Sequence, residues 1–272
     1  MTTLSDFEDP LVLVGAGKMG QAMLEGWLAR GLDPRKLVIL EPQPAESVRT
    51  LTARGVRLNP AAPPKAAAIV IAVKPQIAPD AVSRLAAQVG DGTLVLSIMA
   101  GRTLAFLRER LPGGTALVRA MPNTPAAVGR GITVACGGPE VTGAQRALAT
   151  NLLASIGAVE WVEDEGLIDA VTALSGSGPA YVFLLTEAMA KAGVAAGLPQ
   201  ALAEKLARET VAGSGELMHR SAVDPATLRQ NVTSPGGTTA AALEVLMGPN
   251  GLERLLSEAI AAATQRSRDL AG

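Results

Sequence analysis

The 272-residue chain has one cysteine and one histidine. Cys136 alone excludes an intrachain disulfide and argues against a thiolate metal site. His219 alone removes most histidine-based catalytic arrangements. Aromatic residues are scarce at 2%, so the core has to be assembled from Ala, Leu, Val and Ile within a hydrophobic fraction of 48%. Neither sign of charge dominates: 24 Lys and Arg stand against 25 Asp and Glu, which leaves no electrostatic pull toward nucleic acid or an anionic membrane. The first residues are polar and acidic rather than basic and then apolar, and no apolar run approaches membrane-spanning length. These absences predict a soluble cytoplasmic protein that binds neither nucleic acid nor membrane. Its length suits two domains better than one.

What is present centres on Leu11 to Gly20. Four apolar residues run straight into Gly15-Ala16-Gly17-Lys18-Met19-Gly20, and Gln21 to Arg30 reads as a helix. Strand, glycine turn and helix in that order form the context in which G-x-G-x-x-G binds a dinucleotide. Gly15 permits the tight turn, Gly17 lets a pyrophosphate approach the backbone, and Gly20 lets the helix pack against the strand. The free N–H groups and dipole of the helix start favour the phosphate charge.

Lys36 to Leu40 predicts a second strand ending at Glu41. An acid about 20 residues beyond the glycine loop suits the adenosine ribose hydroxyls, and its charge would repel the 2′-phosphate of NADP. Arg49, Arg54 and Arg57 lie not far beyond and could offset that charge, so the choice between NADPH and NADH stays open. Further strands are predicted at Ala66 to Val73, Thr93 to Ser97, Ala116 to Ala120, Ile132 to Cys136 and Ala158 to Val162. Helices at Asp80 to Val89, at Thr103 to Arg110 and around Leu148 to Ile156 alternate with them. The alternation is that of a mainly parallel, doubly wound α/β sheet.

Beyond Gly166 the strand signal stops. Ser175-Gly176-Ser177-Gly178-Pro179 reads as the end of one helix and the start of another, with Ser177 as N-cap. Tyr181, Leu184, Leu185, Ala188, Met189 and Ala192 form an apolar stripe whose first reading is core, with a second subunit as the alternative. Another helix is predicted from Gln200 to Arg220, and a further stripe runs from Leu252 to Ala263. Between them, Asn231-Val232-Thr233-Ser234-Pro235-Gly236-Gly237-Thr238-Thr239 places N–H groups and hydroxyls at a helix start. That arrangement suits a carboxylate, though a well-capped helix start is an equal reading of the same residues.

Together these motifs, with Ala72-Val73-Lys74-Pro75, Met121-Pro122-Asn123-Thr124-Pro125 and Ala173 to Tyr181, stand in the order seen in pyrroline-5-carboxylate reductases, which the chain resembles over nearly its whole length. The resemblance implies reduction of 1-pyrroline-5-carboxylate to L-proline by NADPH or NADH, the last step of proline biosynthesis. It implies a Rossmann-type doubly wound domain, residues 1–163, followed by an all-α substrate-binding and dimerisation domain, residues 164–272. It also implies a homo-oligomer, either a dimer or a decamer of five dimers.

Carried over by position, Val14, Gly15, Ala16, Gly17, Lys18 and Met19 would meet the cofactor phosphates. Ala72, Val73, Lys74 and Pro75, with Met99, Ala100 and Gly101, would line the nicotinamide side. Asn59, thirteen residues before Ala72, would help hold the adenosine end. Asn231, Gly237, Thr238 and Thr239 would bind the substrate, with Glu165 a further candidate, and Thr239 would hydrogen-bond the ring nitrogen. Glu41 departs from the small hydroxylated residue common in the family, which speaks against a strict NADPH preference. Hydride transfer to an imine needs alignment more than a strong acid, which agrees with the scarcity of His and Cys and with no metal. Lys74 reads as a cleft-lining cation, with proton donation as the lesser alternative; His219 reads as structural or exposed, and Cys136 as core.

Two rivals remain. A β-hydroxy-acid dehydrogenase would need a lysine base soon after Gly176-Ser177-Gly178-Pro179, but the next lysine is Lys191. A dinucleotide sensor without turnover would have no need of the Thr238-Thr239 turn.

Overall fold

The computed structural model describes Leu4 and residues 10–271; residues 1–3, 5–9 and 272 of the two expected domains lie outside the described residues. The chain divides into two compact units, residues 1–176 with 264–272, and residues 177–263.

The first unit runs β1 (Leu11–Val14), α1 (Lys18–Ala29), β2 (Leu37–Leu40), α2 (Glu46–Arg49), β3 (Arg57–Leu58), β4 (Ala68–Ile71), α3 (Ala78–Ser83), β5 (Leu94–Ser97), α4 (Leu104–Arg108), β6 (Ala116–Met121), β7 (Gly131–Gly137), α5 (Gly143–Leu153), β8 (Gly157–Trp161) and α6 (Leu167–Val171). The strands form one sheet in the order β3-β2-β1-β4-β5-β6-β7-β8. Every neighbouring pair is parallel except β6 and β7. From β1 the chain steps outward to β2 and β3, then returns to β4 on the other side of β1. The reversal therefore lies between β1 and β4, where open parallel sheets bind ligands beyond their carboxyl ends.

Both faces of the sheet are covered. Leu11 and Leu13 pack in one layer with Met23 and Trp27 of α1 and Leu152 of α5. Val12 and Val14 pack in the other with Val82, Leu85 and Leu107. Strands covered on both sides have no polar face, which is why β1 and β4 read as unbroken apolar runs and β5 as one up to Ser97. Trp27 is fully buried, and its indole Nε1 donates to the Leu152 carbonyl at 2.9 Å.

Several boundaries differ from expectation. The helix predicted over 80–89 starts at Ala78, since Pro79 suits a first turn, and gives way after Ser83 to a 3₁₀ turn at Ala86–Gln88. The Ser-Gly-Ser-Gly segment does not end a helix in an ordinary cap. Residues Thr172–Gly176 wind as a π turn directly after α6, a bend at Ser177 follows, and the Ser177 side chain makes no capping hydrogen bond. The small residues tolerate this wider turn, and Ser175 Oγ donates to the Val171 carbonyl at 3.0 Å.

The second unit holds α7 (Gly178–Ala195), α8 (Gln200–Arg220), α9 (Pro225–Asn231), α10 (Thr238–Leu246) and the larger part of α11 (Leu252–Ala271). Helices α7 and α8 approach through small residues: a Cβ on Gly193 would lie 3.2 Å from Ala203 Cβ, and Ala203 and Ala207 are buried. The apolar stripe of α7 is not core within the chain. None of its residues is buried, and Leu184 is 64% and Leu185 45% exposed. An 18-residue window within helical residues 167–195 also reaches a mean hydropathy of 1.3, enough by length and composition to cross a membrane, contrary to the expectation that no stretch comes near that. A search for unbroken apolar runs passes over it because Asp169, the Ser175 to Pro179 segment, Glu187 and Lys191 interrupt the run.

Candidate functional site

The three glycines of the loop answer three separate demands. Gly15 has φ +91°, and a Cβ there would come within 2.7 Å of the Ala72 carbonyl oxygen, so the turn and the approach of β4 both demand glycine. A Cβ on Gly20 would collide with the Gly15 carbonyl, which fixes the angle at which α1 leaves the sheet. At Gly17 a Cβ would meet nothing within 4 Å. The protein does not need glycine there for its own packing, and the open space lies at the N-cap of α1, where no side chain caps the helix. Unclaimed N–H groups and free space suit a pyrophosphate. Gly17→Ala is expected to leave thermal stability within about 1 kcal/mol while weakening dinucleotide binding about tenfold or more. Calorimetric titration and a melting curve on the same sample measure both.

Two more loops flank this one at the carboxyl ends of β4 and β5. Residues 72–75 follow β4, with Lys74 exposed; residues 98–101 follow β5, with Met99 buried and Gly101 at φ +67°. Arg102 ties them together: its Nη2 and Nε donate to the Pro75 carbonyl at 2.7 and 3.2 Å, and its guanidinium lies 4.9 Å from the Phe106 ring centroid. Behind them, Glu165 Oε1 accepts from Arg119 Nη1 at 2.9 Å and from the Leu104 N–H at 2.8 Å. Arg119 sits on β6 opposite Ser97 of β5, and its side chain is 4% exposed. Glu165, expected at the substrate, thus also neutralises a buried arginine and holds the first residue of α4. Sequence reasoning missed both arginines. A charge in the middle of the apolar strand Ala116–Met121 was the available signal for Arg119, because a buried guanidinium requires a partner.

At the other side of the loop, Glu41 Oε2 accepts from the Ala16 N–H at 2.9 Å and Oε1 from the Gln43 N–H at 3.0 Å. Asn59 adopts φ +46°, a left-handed conformation that asparagine tolerates, and clamps the Glu41 backbone from both sides. Its Oδ1 accepts from the Glu41 N–H and its Nδ2 donates to the Glu41 carbonyl, each at 2.8 Å. Cys136 is buried opposite Arg119 in the β6–β7 register; burial, with Glu165 and Glu163 nearby, pushes its thiol pKa up, so it stays a neutral core group.

In the second unit, α9 ends at Asn231 and α10 starts at Thr238. The intervening turn is held by Gly237 N–H donating to the Ser234 carbonyl at 3.0 Å and Thr233 Oγ1 donating to the Arg229 carbonyl at 2.7 Å. A Cβ on Gly237 would collide with Ser234 Oγ. Gly237 is the N-cap of α10 and no side chain caps it. Thr238 is exposed and Thr239 half-buried. The turn therefore presents backbone N–H groups with two adjacent hydroxyls, the donor set for a small carboxylate.

A doubly wound sheet with an uncapped glycine loop at its reversal point, joined to a helical unit, defines a dinucleotide-dependent oxidoreductase class. Residues 10–101 match the family model described as NADP oxidoreductase, coenzyme F420-dependent, and residues 165–270 match that described as pyrroline-5-carboxylate reductase dimerisation. The pyrroline-5-carboxylate reductase of Pseudomonas aeruginosa is 38% identical over 264 residues, covering 96% of each chain. Among solved structures, a pyrroline-5-carboxylate reductase from Coxiella burnetii has a TM-score of 0.90 at 32% identity, covering 98% of this chain and 100% of its own. The Plasmodium falciparum pyrroline carboxylate reductase, solved with NADP bound, has a TM-score of 0.80 at 28% identity, covering 97% and 99%. The chain belongs to the pyrroline-5-carboxylate reductase family. The apolar residues 167–195 fall within the stretch that matches the dimerisation model.

Proposed function

We propose that the chain reduces 1-pyrroline-5-carboxylate to L-proline with NADPH or NADH, the closing step of proline biosynthesis. The observation that carries this reading is end-to-end similarity to reductases of that name, joined to two uncapped donor sites, one in each unit. When bound, the dinucleotide supplies the hydride that adds to the imine carbon. Val14 to Met19 form the loop around the phosphates, which meet the uncapped start of α1 at Gly17, Lys18 and Met19, since the Gly15 and Ala16 N–H groups already donate to Leu40 and Glu41. Ala72 to Pro75 and Met99 to Gly101, kept in register by Arg102, line the nicotinamide side. Glu41 and Asn59 serve the adenosine end.

Asn231 and the Gly237-Thr238-Thr239 turn grip the imino-acid carboxylate through the Thr238 and Thr239 N–H groups at the uncapped start of α10, the Gly237 N–H being held by the Ser234 carbonyl. The Thr239 hydroxyl hydrogen-bonds the ring nitrogen, which takes its proton from solvent before or during the transfer. The residues then act by alignment and by stabilising charge at nitrogen rather than by strong acid catalysis. Glu165 enters through its hold on α4 and as a candidate contact to the substrate. Turnover needs both expected domains, residues 1–163 for the dinucleotide and 164–272 for the substrate, although the compact units divide after Gly176 and so leave Glu165 and α6 with the sheet. The exposed apolar helices fit a homodimer, with a decamer of five dimers as the larger assembly, in the cytoplasm.

Oxidation of NADPH or NADH that depends on added pyrroline-5-carboxylate, with light scattering on the same sample, tests the reading. Imine-dependent turnover by a dimer or larger species is the expected result. Turnover only with a β-hydroxy acid would reassign the enzyme, and cofactor binding with no turnover would make it a sensor.

A further inference from the structure

We propose that Glu41 makes this reductase selective for NADH over NADPH, an inference that rests on the dinucleotide reading of the glycine loop. The sequence alone leaves the question open, because three arginines follow Glu41 and any of them could neutralise it. The structure distributes those charges. Arg57 is paired with Val38 in the parallel β2–β3 register, three residues before Glu41 and so about 10 Å back along the strand. Arg54 lines a groove with Leu24, Glu25 and Leu28 of α1. Arg49 donates its Nε–H to the Pro44 carbonyl at 3.0 Å, beside the loop that follows Glu41, and among the described residues it makes no ion pair with the Glu41 carboxylate, whose oxygens accept from Ala16 and Gln43. The residues next to Glu41 are Pro42, Gln43 and Pro44, which bring neither a cation nor a hydroxyl.

The carboxylate itself is fixed rather than free to swing aside. Each oxygen already accepts one backbone N–H, from Ala16 on Oε2 and from Gln43 on Oε1. The two Asn59 hydrogen bonds fix the backbone that carries it. A carboxylate offers about four acceptor positions, so each oxygen retains one for a hydroxyl donor. A ribose with free 2′- and 3′-hydroxyls donates into that pair. A 2′-phosphate brings no donor and a negative charge, and turning Glu41 away to admit it would strip the Ala16 N–H of its acceptor. The same carboxylate thus rewards one dinucleotide and repels the other. The tether from Ala16 couples the choice to the phosphate loop itself.

The test is binding of NADH and NADPH to the full chain by titration calorimetry, without imine, for the wild type, Glu41→Gln and Glu41→Ser. Glutamine keeps the size and removes the charge, and serine also makes room. The wild type is expected to bind NADH at least tenfold more tightly than NADPH, and both variants to lower that ratio at least tenfold, mainly by tighter NADPH binding. NADPH binding as tight as NADH in the wild type, or a ratio within twofold of wild type in both variants, would overturn the proposal. Because no substrate is present, the ratio stands or falls separately from the imine reduction, which only the turnover assay decides.

Discussion

Replacing Thr239 by alanine is expected to lower kcat for the imine about 10²-fold, the usual cost of removing one hydrogen-bond donor from a site of developing charge. Affinity for NADH and NADPH is expected to stay within twofold, because Thr239 lies in the first turn of α10 in the second unit while the glycine loop belongs to the first. Thr239→Ser keeps the hydroxyl and should recover most of the rate. This pattern separates a group that acts on the reacting nitrogen from one that merely starts a helix. Loss of a helix-start side chain would lower the melting temperature of the alanine variant and would not be rescued in rate alone. Steady-state kinetics with a parallel cofactor titration distinguishes the cases, and a large loss of cofactor affinity in Thr239→Ala would contradict the assignment.

The second large effect is expected at Glu165. Alanine there leaves the guanidinium of Arg119, 4% exposed, without its carboxylate, and frees the Leu104 N–H at the start of α4. Removing one partner of a buried pair costs about 3 kcal/mol or more. For a chain of this size that corresponds to a drop of roughly 6–12 °C in melting temperature. Dinucleotide binding should weaken as well, since α4 follows the 98–101 loop directly. Glu165→Gln retains an acceptor for both donors and should lose less. An unchanged melting temperature with a raised KM for the imine would show instead that Glu165 acts on substrate and that Arg119 is stabilised by other groups.

How far the chain can be read without coordinates depends on the kind of signal each residue leaves. Strands covered on both faces announce themselves as apolar runs, so β1 is legible to the residue and β2, β4 and β5 nearly so, and β6 is legible despite Arg119 in its middle. The glycine loop is legible because Gly15 and Gly20 each answer a local demand, a dihedral angle or a close approach, that no other residue meets. The turn before α10 is legible for the same reason. Periodicity gives the α7 stripe but not its partner: a helix facing a second chain and a helix facing its own core have the same spacing, and within the chain these residues are exposed. The π turn at 172–176 has no periodic signature at all.

The links that sequence spacing could not supply are long-range polar ones. Glu165 reaches Arg119 across 46 residues, and Arg102 reaches Pro75 across 27. Nothing local to those residues names the partner. Asn59 shows the intermediate case. The family resemblance implies a place at the adenosine end, and what the structure shows is Asn59 holding the backbone of Glu41.

The central claim is that a hydride passes from reduced nicotinamide to the imine carbon of 1-pyrroline-5-carboxylate on this chain. Incubation with dinucleotide deuterated at its transferable position, followed by mass spectrometry of the product, tests it most directly. The account predicts L-proline one mass unit heavier, with the label on the ring carbon formerly double-bonded to nitrogen. Unlabelled proline, or no proline while the protein binds the cofactor, would contradict it.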